Sequence, residues 1–103
     1  MKKRKIRLGS SSEAHVKGIE EEHVVGMNIA RGGEASLKKG RCDRALGELA
    51  TASTLLGGMF THIKALPGRD RARYDKDFDA FARRLEALRF DLAKKCFIQG
   101  GKN

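Results

Sequence analysis

From Glu13 to Cys96, apolar and small residues recur every three or four positions, the spacing of one face of an α-helix. The first stripe runs His15, Ile19, His23, Gly26, Ala30, Gly33 and Leu37. Ser10, Ser11 and Ser12 offer capping hydroxyls just before it. Lys38-Lys39-Gly40 reads as its end, because cations suit the negative end of the helix dipole and Gly turns left-handed without a Cβ clash. The later half of the stripe is small and lets another helix approach closely. Gly32-Gly33 is the predicted kink or break, since each Gly weakens a helix by about 1 kcal/mol relative to Ala.

A second stripe runs Leu46, Leu49, Ser53, Leu56, Phe60 and Ile63, with Ala45, Ala52 and Met59 flanking it and Asp43 placed to cap it. Gly57-Gly58 inside this pattern predicts a bend or an end. Leu66-Pro67-Gly68 is the clearest turn, with Asp70 or Asp75 available to cap the next helix. The third stripe, Tyr74, Phe78, Phe81, Leu85, Leu88, Leu92 and Cys96, is the cleanest, and Gly100-Gly101 should stop it. No alternating β-branched run and no Asn-Gly or Asp-Gly hairpin pair occurs. Short connections make successive helices antiparallel neighbours. The fold expected is therefore all-α: an antiparallel three-helix bundle, a helical hairpin plus a third packed helix. It occupies 13–97, between a flexible basic arm with a Ser-rich linker (1–12) and a flexible tail (98–103).

Composition narrows this to one small domain and excludes a large multi-domain enzyme. The chain has 103 residues, and its 22 Lys and Arg against 13 Asp and Glu give a formal net charge of +9. No apolar run approaches the roughly 20 residues that span a bilayer. The basic N-terminus is not followed by the apolar stretch of a secretory signal. These features favour a cytoplasmic protein, in a virion or host cytoplasm if it is viral. They also favour reduced thiols, with Cys96 as a small core residue and Cys42 half-exposed at a turn. In an antiparallel bundle the two cysteines could meet at one end, so a single disulfide is geometrically possible.

The charge is uneven. Lys2, Lys3, Arg4, Lys5 and Arg7 have no acid among them, whereas the first helix is acidic. Lys38, Lys39, Arg41 and Arg44 cluster at the first turn, and Arg69, Arg71 and Arg73 come just after the second. In the bundle, the 38–44 cluster and Lys94-Lys95 share one end and 64–73 the other. These positions are the candidate nucleic-acid contacts. They would bind backbone phosphates in a salt-dependent, sequence-independent manner. No helix-turn-helix, zinc-finger or aromatic stacking signature supports base reading. On the third helix, Asp75, Asp77, Asp79 and Glu86 among the cations fit a solvated face nearly as well.

Catalytic and metal chemistry find little purchase. Glu20 and His23 have the Glu-x-x-His spacing of di-iron bundles, but the template needs a second such pair and two further Glu. Cys42 and Cys96 are too far apart for a Cys-x-x-Cys motif, and His62 belongs at the far end of the second helix from Cys42. No phosphate-cradling Gly motif occurs. The expectation is no enzyme, no cofactor and no metal.

Gly33, Gly40, Ala45, Leu49 and Ala52 fall at spacings that resemble one tetratricopeptide-type helix–turn–helix, over residues 29–57. In that family small residues sit where the two helices touch, and the resemblance implies a groove for a peptide or partner helix. Ile29, Gly32, Ser36, Cys42 and Gly57 depart from its pattern, and the chain holds no second copy. The basic arm, Ser-rich linker and His-containing Ala/Gly-rich helix also resemble small accessory proteins of bacterial viruses.

Together these features read as a small non-enzymatic protein associating with nucleic-acid phosphates, with the arm Lys2–Arg7 contributing most and the Lys38–Arg44 turn and the Arg69–Arg73 segment supporting it. The alternative is a protein-interaction or assembly module using apolar helix faces, as a homo-oligomer or with a protein partner. An anionic membrane surface fits less well, because the arm offers only Ile6 and Leu8 as apolar anchors.

Overall fold

The structure is a computed structural model that describes the backbone from Lys2 to Gln99 and the side chains from Ser12 to Phe97. Helix α1 spans Lys2–Lys38 and α2 spans Cys42–Ala65. A single turn, α3 (Gly68–Arg71), and a 3-10 turn (Ala72–Tyr74) lead into α4 (Asp75–Leu92). The chain then widens into π-helical turns over Ala93–Gln99. Among the described residues there is no strand. Helices α1, α2 and α4 form the expected all-α bundle, with α1 and α2 as the intimate pair. The flexible arm expected at 1–12 and the flexible tail at 98–103 fall, apart from Ser12, outside the described side chains. The stop at Gly100-Gly101 lies outside the described residues as well.

The first stripe packs inward as its period demands. Ile19, Ala30 and Leu37 are buried with Gly26 and Gly33, and His15 and His23 are half-buried. Gly32-Gly33 does not break α1. A Cβ at Gly33 would stand 2.9 Å from Leu88 Cδ2, and one at Gly32 would stand 2.9 Å from Glu48 Oε2. The glycines are therefore places of close helix approach, and the packing they allow offsets their weak helix propensity. Ser12 lies inside α1 rather than ahead of it, so the capping expected of the serine run does not apply to it.

The end of α1 is the one its residues predict. Gly40 has φ +76°, its N–H donates to the Leu37 carbonyl, and the Arg41 N–H reaches back to Ser36. This is the Schellman arrangement, and it supplies donors to carbonyls that a helix end leaves open. Asp43 is not the cap of α2. That position falls to Arg41, without a side-chain cap, and Asp43 sits in the first turn, where the helix dipole still favours an acid. Neither Asp70 nor Asp75 caps as expected. Tyr74 precedes α4, and Asp75 and Asp77 lie in its first turn.

The face of α2 is rotated from the sequence reading. Ala45, Leu49, Ala52, Met59 and Ile63 are buried, whereas Leu46 and Phe60 are nearly half exposed and Ser53 is exposed. The small residues of α1 bring the backbones close, so the contact face of α2 uses Ala45 and Ala52 in turn. Its bulkier stripe is pushed toward α4 and solvent. Gly57-Gly58 does not bend the helix; a Cβ at Gly58 would meet the Glu22 carboxylate of α1. The third stripe packs as its spacing predicts. Phe81, Leu85, Leu88 and Leu92 are buried, and Tyr74, Phe78 and Cys96 pack against them.

Candidate nucleic-acid interface

At one end of the bundle the end of α1, the start of α2 and the end of α4 converge. Two links fix this arrangement. Lys95 Nζ donates to the Leu37 carbonyl at 2.9 Å, and Cys42 is joined to Cys96 by a disulfide with the Cα atoms 5.9 Å apart. The favoured reading of reduced thiols is thereby corrected. The antiparallel path carries residue 96 back beside residue 42, within the 4.4–6.8 Å window in which two cysteines can bond.

Around this link lie Lys38, Lys39, Arg41, Arg44, Lys94 and Lys95, all exposed. Lys95 is engaged with the α1 carbonyl. The other five make no ion pair among the described residues. Asp43 is the acid among them in sequence, and it sits in the first turn of α2. The uncapped start of α2 adds its positive dipole end to the same surface. The structure thus brings together the 38–44 cluster and Lys94-Lys95, as the antiparallel reading expects.

The second expected patch is different. Arg69 and Arg73 are exposed. Arg71 is also at the surface, but its guanidinium serves the fold: Nε donates to the Leu66 carbonyl at 3.0 Å and Nη2 to the Lys64 carbonyl at 2.9 Å. Arg71 thus closes the end of α2, which removes it from the set available for phosphate. Lys2, Lys3, Arg4, Lys5 and Arg7 lie outside the described side chains.

Polar groups between the helices tie them together and account for His23, which sequence reading weighed as chemical. Glu48 accepts a hydrogen bond from the buried Ser36 hydroxyl at 2.9 Å, tying α2 to the end of α1. His23 meets the Phe81 ring edge-on, with 6.2 Å between centroids, while Glu20 is exposed. Sequence reasoning missed another pair. His15 and His62, 47 residues apart, face each other with Nδ1 atoms 2.9 Å apart, one ring donating to the other. Glu22 Oε1 lies 3.9 Å from the far nitrogen of His62. Hairpin register alone could have found this pair, because α2 folds back along α1 and Gly18 leaves room for the His62 ring. Among the described residues no group of three His, Cys, Asp or Glu is placed to hold a metal ion.

A bidentate ion pair joins α1 to α4. Arg84 donates Nε to Glu34 Oε2 at 2.7 Å and Nη2 to Oε1 at 2.8 Å. These hydrogen bonds hold the Glu34 carboxyl below its ordinary range against the opposing effect of burial, with the charges of Arg84, Arg31 and Lys38 assisting. The same bonds push the Arg84 guanidinium up. No described helix is long and apolar enough to cross a membrane. Comparison with family models, curated proteins and solved structures matches nothing to this chain.

Proposed function

We propose that this protein associates with nucleic acid through backbone phosphates, without reading bases, and that the basic end of the bundle is the main docking surface of its folded body. The observation that carries the reading is the convergence of Lys38, Lys39, Arg41, Arg44 and Lys94, exposed and outside any described ion pair, around one disulfide-tied end. Phosphates favour such a surface because each cation that meets one releases condensed counterions. The arm residues Lys2, Lys3, Arg4, Lys5 and Arg7 add a second set of contacts, and Arg69 and Arg73 a weaker third at the far end.

The disulfide bears on where this would happen. Paired cysteines persist in oxidising surroundings and are rare in a reducing cytosol. The pairing of Cys42 with Cys96 therefore favours an oxidising compartment or an extracellular particle over the cytoplasm.

The test is fluorescence anisotropy with a labelled duplex and a labelled single strand, in non-reducing buffer. The variant with Gln at 38, 39, 41 and 44 should lose at least about a hundredfold in affinity at low salt, on the order of 0.7 kcal/mol per contact removed. The Arg69→Gln, Arg73→Gln variant should lose much less. Equal losses at the two ends would sink the assignment of the docking surface.

A further inference from the structure

The outer face of α4 carries a feature that the core does not use and that borders the basic end at Lys94. Arg83, Glu86, Ala87, Arg89, Phe90 and Ala93 line one shallow groove there. Phe90 is 66% exposed and Phe97 is 62% exposed, the two highest values among the large hydrophobics exposed at the described surface. A lone exposed apolar residue is ordinary. Phe90 stands on the side of α4 away from buried Leu85, Leu88 and Leu92, with Ala87 and Ala93 beside it in the groove, and Phe97 is exposed further along, past the change to π-helical turns.

The residues around Phe90 are complementary to themselves in reverse order. Three positions to either side stand Ala87 and Ala93; four to either side, Glu86 and Lys94. A two-fold axis beside Phe90 that sets two copies of α4 antiparallel pairs each residue with its counterpart across the axis. Glu86 of one copy then meets Lys94 of the other, twice by symmetry. Alanine meets alanine where the backbones come closest. A parallel arrangement would instead set Glu86 against Glu86 and Lys94 against Lys94.

Charge favours a second copy over a polyanion. Glu86 stands among Arg83, Arg89 and Lys94 along this face, so a polyanion or an anionic lipid surface is held less strongly here than at the basic end, whereas a second copy can pair both signs.

We infer that this chain forms a homodimer through the outer face of α4, antiparallel, with Phe90 packed on its own copy. Phe90 stands six residues from Cys96, so the axis runs near the basic end. The two basic ends then lie about 18 Å apart along the helix direction, at 1.5 Å per residue. Lys94 then pairs with Glu86 of the copy, and each subunit would extend the other's phosphate-binding surface through Lys38, Lys39, Arg41 and Arg44, although dimer formation does not require nucleic acid.

Sedimentation velocity of the full chain, without nucleic acid and without reductant, tests this from low micromolar to several hundred micromolar protein. The sedimenting mass should rise from 11.4 kDa toward twice that value. Phe90→Glu should remain monomeric with an unchanged helical circular dichroism spectrum. Glu86→Lys and Lys94→Glu should each weaken the dimer about tenfold, and the double exchange should restore most of that loss. The exchange set decides the matter even where Phe90→Glu does not fold. A wild-type chain that stays at 11.4 kDa throughout, a dimer that persists in Phe90→Glu, or a double exchange without rescue would each overturn the proposal.

Discussion

Arg84 on α4 grips Glu34 on α1 through two parallel hydrogen bonds, of 2.7 and 2.8 Å, across 50 residues of chain. The pair is one of the few polar ties between α4 and the hairpin, and about a third of each side chain is open to water. Screening at that exposure limits its worth to about 1 kcal/mol. A double-mutant cycle of Glu34→Gln and Arg84→Met, read by urea unfolding, should return a coupling of that size. Because the folded carboxyl is held below its ordinary range, its stabilisation is full above the unfolded value. It is lost as pH falls through the folded one. Wild type should therefore lose more stability than Glu34→Gln on acidification below about pH 5, and parallel profiles would contradict the assignment.

Glycines in this protein divide by what faces them. A Cβ at Gly26 would run into the Phe81 ring, which is fully buried. Gly26→Ala should destabilise by about 1–3 kcal/mol, despite the better helix propensity of Ala. Nothing lies within 4 Å of a Cβ at Gly47 or Gly57. Ala there should stabilise by about 0.5–1 kcal/mol. Thermal unfolding of the three variants checks the contrast, and the opposite signs are the diagnostic result.

The Cys42–Cys96 link closes a segment with a sequence separation of 54 residues. Removing both sulfurs as Cys42→Ser, Cys96→Ser should cost about 2–4 kcal/mol of unfolding free energy, chiefly by freeing the unfolded chain. Denaturation with and without a dithiol reductant should show the same loss in wild type and none in the variant. A wild-type curve indifferent to reductant would mean that the link contributes little.

Arg71 should behave as a structural residue. Arg71→Gln removes the donors on the Leu66 and Lys64 carbonyls and should cost about 1 kcal/mol of stability. Its effect on nucleic-acid affinity should be smaller than that of any substitution among Lys38, Lys39, Arg41 and Arg44. Competition binding at one salt concentration ranks them.

How legible each element was in the sequence depended on its physics. The third stripe, from Tyr74 to Cys96, reads correctly because large apolar residues at strict helical spacing leave one choice of face. The second does not, because the contact partner of α2 is a helix of small residues. There Ala45 and Ala52 turn inward together with Leu49, Met59 and Ile63, while Leu46 and Phe60 turn out. Glycine pairs read as helix breaks when propensity alone is weighed, yet Gly33 is a packing position that depends on Leu88 of a distant helix. The basic end was legible, since it needs only the antiparallel order of three helices. The role of Arg71 was not, because it depends on bonds made across a turn, and the His15–His62 contact follows only once the register of α2 against α1 is drawn. The disulfide was visible only as a geometric possibility.

The salt dependence of nucleic-acid binding tests the central claim most directly. With anisotropy measured from about 50 to 200 mM salt, the logarithm of affinity should fall linearly with the logarithm of salt, by about 0.9 per phosphate contacted on a duplex. The variant with Gln at 38, 39, 41 and 44 should reduce that slope by three to four, on the order of 0.9 for each cation removed. An affinity indifferent to salt, or a slope unchanged in the variant, would contradict the account.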